Sequence, residues 1–425
     1  MGLAALAALM AGAPLPAYAA GDDTLVYTVK RSDTLYTLSR DYLTEPQAWR
    51  QLQAVNRVRI PQRMPVGYKL AIPRRLLKFT PVPLRIQTFS GPVTVSGTEP
   101  RKGQELAEGA LVTTGANGFV VISGAEGSRV ALPSNTRVRI GQARRYLLLQ
   151  ATDIELDVER GKAEIQAAKQ APDSRFRVRT PVAVTAVRGT VFRAGYSEES
   201  AASASETIEG EVAVTSPKAE LALPAGFGAA AGADGRLSKE ALLPAPALAD
   251  PAKVQTELRV SFDFTPVALA RAYRVQVARD AGFLDVISQA EGAAPRAEFE
   301  GLKNGTYFVR AAAFSAAGLQ GLEEAYSFRR QRVGLAADAG QSGLPNGFRF
   351  AWQAEGEGTS LFRFQLFGAG EGDLPLVDEP ALTKPELTVT ALRPGTYRWR
   401  VGVIQTTPDG SAEVWMPFQK LTVGG

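Results

Sequence analysis

From Leu84 to about Gly235 the chain reads as strand after strand. In "VPLRIQTFSGPVTV", "GALVTTGANGFVVISGAEGSRVAL", "NTRVRIG" and "FRVRTPVAVTAVRGTVFRAGY" apolar residues alternate with polar ones, and Gly or Pro breaks each run. Successive side chains of an extended backbone point to opposite faces, so a period of two fits half-buried strands and not helices. Gly-Ala-Asn-Gly and Gly-Ala-Glu-Gly supply turns. Residues 82–237 are therefore expected to form an all-β domain, either solenoid-like or a curled sandwich. Within it "SEESAASASE", 197–206, reads as a mobile hairpin loop, and Gly189 as a bend or bulge following Arg188.

The same alternation sorts the charges. Arg175, Arg177 and Arg179 alternate with Phe176 and Val178, and Arg137 and Arg139 with Val138 and Ile140. A solvated outer face is the expectation for these arginines, with a polyanion-binding stripe as the alternative. Asp153, Glu155 and Asp157 alternate likewise, which puts three carboxylates on one face, expected in solvent.

Further along, "LKNGTY" begins at Leu302 and "LRPGTY" at Leu392, a repeat of about 90 residues. Each copy is preceded by two alternating runs, "LRVSFDF" and "AYRVQVA" in the first and "GFRFAW" and "LFRFQLF" in the second. Each is followed by another, "FVRAAAF" or "RWRVGVI". Two tandem β-sandwiches are expected, at 254–331 and 341–425, behind a Pro/Ala-rich extended connector at 238–253. Trp352 and Trp399 are expected in the cores, and Trp415 partly exposed.

Composition limits the chemistry. At 425 residues the chain exceeds one hydrophobic core. It has no Cys and no His, which removes disulfides, thiolate metal sites and the usual general base. The excess of 48 Lys and Arg over 43 Asp and Glu is too small to argue for nucleic acid, and none is expected as a partner. No cofactor or metal is expected, and no membrane span, since no apolar run is long enough. Leu3–Ala11, Pro14, Pro16 and Ala17-Tyr18-Ala19 read as a leader, residues 1–19, cleaved after Ala19 for export to the periplasm or beyond. The leader lacks a basic start, which points to a start codon upstream.

The segment behind the leader, 25–74, has the order strand, helix, helix, strand. Val26–Val29 is strand-like. Ser32 or Asp33 can cap a helix carrying Leu35, Leu38 and Tyr42. Thr44 and Gln47 have capping-box spacing for a second helix that buries Trp49, Leu52 and Val55, and "VGYKLAIP" closes with a strand. With Tyr27-Thr28-Val29, Asp33-Thr34-Leu35, Asn56, Val66-Gly67 and Leu70-Ala71-Ile72-Pro73, this segment resembles the LysM domain. The resemblance implies binding of N-acetylglucosamine-containing glycan, chiefly peptidoglycan. Ser32, Asp33, Thr34 and Leu35 would form one wall of the groove, and Val58, Ile60 and Pro61 the other. Ser32 stands where the family usually has glycine, and Arg50, Arg57, Arg59 and Arg63 make the segment unusually basic.

Gly109 with Leu111–Gly115, Gly127–Leu132, Thr180-Pro181 with Val187–Phe192, and Glu209–Val214 give the middle domain a resemblance to the FecR domain. That family is an extracytoplasmic β domain best known from anti-sigma regulators. The C-terminal copies resemble fibronectin type III or related immunoglobulin-like domains, in which Tyr307 and Tyr397 would close tyrosine corners. The fold class expected is thus mainly β and multidomain: a small βααβ module, an all-β domain and two sandwiches. The function expected first is a non-enzymatic envelope protein that binds peptidoglycan and presents its β domains to a protein partner. The alternative is a periplasmic sensor acting through a separate membrane partner. A cell-wall hydrolase comes last, because it would need a carboxylate pair in a cleft.

Overall fold

A computed structural model describes residues 23–424 apart from 125, 126, 170, 172, 188 and 369–373. The expected leader with its cleavage after Ala19, and Arg188, lie outside the described residues. The protein is mainly β and divides into two units, residues 1–241 and 242–425.

The first unit opens with the βααβ order. Strand β1 (Thr24–Thr28) pairs antiparallel with β2 (Lys69–Pro73), setting Tyr27 opposite Leu70 and Leu25 opposite Ile72. Leu25, Tyr27, Val29, Leu70 and Ile72 are buried against two short helices, α1 (Leu35–Tyr42) and α2 (Trp49–Asn56). Thr34, one residue beyond Ser32 and Asp33, caps α1. It forms a reciprocal box with Thr37, whose N–H donates to Thr34 Oγ1 at 3.0 Å while Thr34 N–H donates to Thr37 Oγ1 at 2.9 Å.

The expected box at Thr44 does not form. A 3-10 turn, Pro46–Ala48, precedes α2, and the hydroxyl of Ser39 in α1 accepts the Trp49 N–H at 3.1 Å. The second helix is therefore capped from the first, a tertiary cap that local spacing does not encode. Its buried position is Leu52, with Ala48 buried in the turn before it, while Trp49 is half-buried and Val55 is 51% exposed.

Beyond this module, strands from Phe79–Pro81 to Leu237–Ala241 join, among the described residues, in one hydrogen-bonded network of seventeen. The fifteen-residue strand Thr152–Gln166 organises it. Its first half lies between Arg137–Tyr146, antiparallel, and Arg175–Arg179, parallel. Its second half pairs with Arg129–Leu132 and Val191–Ser197. Gly161, at φ +79°, sits at the change of partners, and a β-carbon there would lie 2.5 Å from Thr136 Oγ1. One strand thus turns a corner between two sheets, which makes the body a curled sandwich around Val138, Ile154, Leu156, Phe176 and Phe192. Gly189 also has a positive φ, +78°, where a β-carbon would press on Lys169 at 2.8 Å. The 197–206 segment is not a long loop: Ala202–Glu209 is a strand, and Ser203, Ser205 and Glu206 are buried.

The second unit holds two sandwiches. In the first, Val260–Asp263 pairs with Arg296–Phe299, facing a sheet in the order 286–292, 272–278, 305–314, 324–330. In the second, strands 333–341, 348–356 and 386–389 face a sheet built on Thr359–Phe367 and Gly395–Thr407. Tyr307 donates its hydroxyl to Lys303 O at 3.1 Å and Tyr397 to Arg393 O at 2.9 Å, the tyrosine corners of both copies. Trp352 and Trp399 are core residues. The Pro/Ala-rich segment is bonded into the first copy, where Ala249 N–H donates to Asp263 O and Thr265 N–H to Ala247 O.

Candidate functional site

The two walls expected for a glycan groove do meet. Leu35 N–H donates to Pro61 O at 3.0 Å, and Gln62 Nε2 donates to Tyr36 Oη at 3.4 Å. The residues on those walls divide sharply by role. Ser32 is exposed at φ +74°, a left-handed conformation that explains why glycine suits the position. Asp33 Oδ2 accepts the Tyr27 hydroxyl at 2.8 Å and the Lys30 N–H at 2.7 Å, so it fastens the loop. Burial foremost, then that bond and the charge of Asp33, push the Tyr27 hydroxyl up to about 12. Thr34 is the helix cap. Leu35 is fully buried, supporting its wall from within.

On the facing wall Ile60 is 56% exposed. Pro61 is half-buried, and Val58 packs on the module core. The surface open to a ligand is thus backbone around Ser32, the side chain of Ile60, and the exposed rings and guanidinia nearby. Tyr36 packs against Trp49 at a tilt of 52° with centroids 4.6 Å apart, and Arg50 lies over that indole at 5.1 Å. Reading the loops alone missed this aromatic pair. Its signal was the aromatic residue just inside each helix.

The module's other end carries denser chemistry. Tyr146, Leu148 and Ala151, from the hairpin tip between strands 137–146 and 152–166, complete the module's core. Beside them the buried Arg74 donates through Nη2 to Asp173 O at 2.5 Å. Its Nη1 lies 3.7 Å from Asp153 Oδ2, and its guanidinium 5.4 Å from the Tyr146 ring centroid. The Tyr146 hydroxyl donates to Asp153 Oδ2 at 3.3 Å. Burial first, then the charge of Asp153, raise that hydroxyl to about 12. Arg175 reaches back to the module, 3.7 Å from Asp23 Oδ1 and 3.4 Å from Thr24 O.

From this junction a ladder of ion pairs runs along the sheet. The parallel register sets Asp153 beside Arg175, Glu155 beside Arg177 and Asp157 beside Arg179. Arg177 Nη2 lies 3.3 Å from Asp153 and 3.2 Å from Glu155. Arg179 continues it, 3.1 Å from Glu155 and 3.8 Å from Asp157. Asp153 and Glu155 are buried, not solvated. Burial, then the charge of Glu155, raise the Asp157 carboxyl against the pull of Arg179. Carboxylates clasped in this way do not form the open acid–base pair that glycoside hydrolysis requires. By contrast Arg137 and Arg139 share Glu159 on the exposed face, at 2.8 and 2.7 Å.

Residues 110–213 match the FecR protein family. The FecR match spans the corner at Gly161, the whole ladder and the strand pairs on either side of it. Among solved structures the chain is similar to a candidate anti-sigma factor from Parabacteroides distasonis, at 18% identity and a TM-score of 0.27, covering 31% of this chain. That alignment spans 59% of the other protein's length. Fibronectin(III)-like modules of Clostridium thermocellum CbhA align at 16% identity and a TM-score of 0.23, over 42% of this chain and 94% of theirs. A two-domain fibronectin type III segment from chicken tenascin gives 16%, 0.20, 42% and 99% in the same order. No curated protein matches the chain. Among the described residues no helix is long and apolar enough to cross a membrane.

Proposed function

We propose that this chain is a non-enzymatic regulatory protein of the cell envelope, whose FecR domain senses or relays an envelope signal through a separate membrane partner. The FecR match over 110–213 carries this reading. The clasped carboxylates of the same domain agree with it, since they serve structure rather than catalysis. The test is site-specific photo-crosslinking in cells from Arg137, Arg160 and Glu198, exposed positions of the FecR region. An integral membrane protein should be captured from these sites, and its deletion should abolish the transcriptional response that depends on this chain. Capture of no membrane protein, with the chain present and folded, would overturn the reading.

A second reading complements the first: the βααβ module holds the chain to N-acetylglucosamine-containing glycan. The meeting of the Ser32 and Ile60 loops favours it. The full-length protein should co-sediment with insoluble peptidoglycan at both low and high salt, and Ile60→Ser should weaken that without loss of fold. Sedimentation that vanishes in salt would reassign the contact to the arginines.

A further inference from the structure

The two sandwiches share a polar pair on the face turned away from their cores. Gln276 lies across from Arg310 in the first copy and Gln365 across from Arg400 in the second. In each, the arginine Nε donates to the glutamine Oε1, at 2.8 and 2.9 Å. The copies then diverge. In the first, a carboxylate closes the site: Glu323 Oε2 lies 3.0 Å from Arg310 Nη1, and Arg274 pairs with Glu291 at 2.6 Å.

In the second copy the carboxylate on the corresponding strand, Glu413, lies across from Ile404 and is turned to another use. It accepts the Trp415 Nε1–H at 2.6 Å. The neighbouring Asp378 is held by Arg363 at 2.8 Å and Gln365 at 3.2 Å. Among the described residues, neither Arg398 nor Arg400 has an ion pair.

Asp378, held low first by its bond to Arg363, also feels the charge of Arg400 but forms no ion pair with it, and aromatic rings pack on the guanidinium instead. Arg400 lies 4.4 Å from the Trp415 ring centroid and 4.6 Å from that of Phe418. Arg398 lies 5.4 Å from Phe418 and 5.8 Å from Phe367. Gly402 makes this possible, because a β-carbon there would lie 2.7 Å from the Trp415 ring. Packing against the rings restricts both side chains and lowers local water access, with Arg398 exposed and Arg400 half-buried. Lys420, across from Arg398 in the sheet, adds charge beside them.

We propose that this face of the second sandwich docks an extended acidic segment of a partner protein, with carboxylates on alternate residues meeting Arg398 and Arg400. Two arginines two residues apart on a strand are about 6.8 Å apart, the spacing of every second side chain in an extended peptide. The chain uses this match internally, where Asp153, Glu155 and Asp157 meet Arg175, Arg177 and Arg179. Planar forks bind carboxylates in two-point fashion, so spacing as well as charge is read. The inference is independent of the FecR and glycan readings.

The test is fluorescence anisotropy of labelled peptides with the full chain. One peptide alternates Glu with Thr, a second has the same composition with its Glu residues consecutive, and a third carries Gln for Glu. The alternating peptide should bind about tenfold tighter than the consecutive one, and R398Q/R400Q should remove that preference. R259Q/R296Q, which deletes the same charge from the first sandwich, should change binding by no more than about twofold. Equal binding of the two acidic peptides, or equal loss in both double variants, overturns the proposal. So does a sulfated polysaccharide that binds through Arg398 and Arg400 where the peptides do not, since it would assign the face to anionic glycan. A second measurement guards against a misfolded variant. The alternating peptide should shift tryptophan emission in the native chain but not in Trp415→Phe, and no shift in the native chain also overturns it.

Discussion

Leu35 and Ile60 sit on the two adjoining segments expected to bind glycan and answer to different physics. Leu35 is wholly buried, so Leu35→Ala should cost about 2–5 kcal/mol in transfer and cavity terms and loosen the whole module. Ile60→Ser, at an exposed position, should stay within about 0.5 kcal/mol. Urea unfolding followed by tryptophan fluorescence separates the two. Ser32→Gly should stabilise by about 1 kcal/mol, because it relieves a left-handed β-carbon at some cost in unfolded-chain entropy. Loss of stability in that variant would mean the serine hydroxyl holds the loop.

Tyr27 and Tyr146 give a pH dependence with a definite sign. Both hydroxyls lie near 10 in the unfolded chain and at about 12 in the fold. The folded state then keeps protons that the unfolded state has lost, so the stabilisation is complete below pH 10 and is lost as pH rises toward 12. Thermal melting across that range should show a falling Tm, and Y27F/Y146F should flatten the fall.

At the scale of elements, alternation was legible and pairing was not. The runs around Leu84–Gly235 announced strands, and the two L-x-x-G-T-Y motifs announced both tyrosine corners. Nothing local indicated that 153–157 would lie parallel to 175–179, because parallel register is set by the crossover between strands and not by either strand. Both charge runs were visible, and the clue lay in their shared period and opposite sign. The start of α2 was misplaced for a related reason, since its cap comes from Ser39 in another helix. The groove was read as a list of neighbours in sequence, whereas folding assigned fastening to Asp33, capping to Thr34 and burial to Leu35.

The ladder makes a quantitative claim. Arg177→Ala takes one partner from each of two buried carboxylates, leaving Asp153 to Arg74 and Tyr146 and Glu155 to Arg179, and should cost about 3 kcal/mol, whereas Arg179→Ala, at the exposed end, should cost under about 1 kcal/mol. Equal effects in chemical denaturation would mean that water reaches the whole ladder. At the corner, Gly161→Ala should destabilise by about 1–3 kcal/mol through a forbidden φ and a clash with Thr136.

At the scale of the molecule, the N-terminal module has a core that a hairpin tip of the following β domain completes, while that domain keeps a core of its own. Tyr146, Leu148 and Ala151 belong to the second by chain position and to the first by packing. Tyr146→Ala should therefore lower hydrogen-exchange protection in β1 and β2 as well as in strand 152–166. Protection lost in only one of them would show that the two parts open independently.

That borrowed hairpin tip also sets an order of events at the ribosome. The module's own residues are made first, yet its interior stays unfinished until Ala151 has been synthesised. Until then the module's apolar cluster is incomplete, and incompletely buried apolar surface is what chaperones and proteases act on. The first domain in the chain thus cannot finish folding until the opening part of the second has been made.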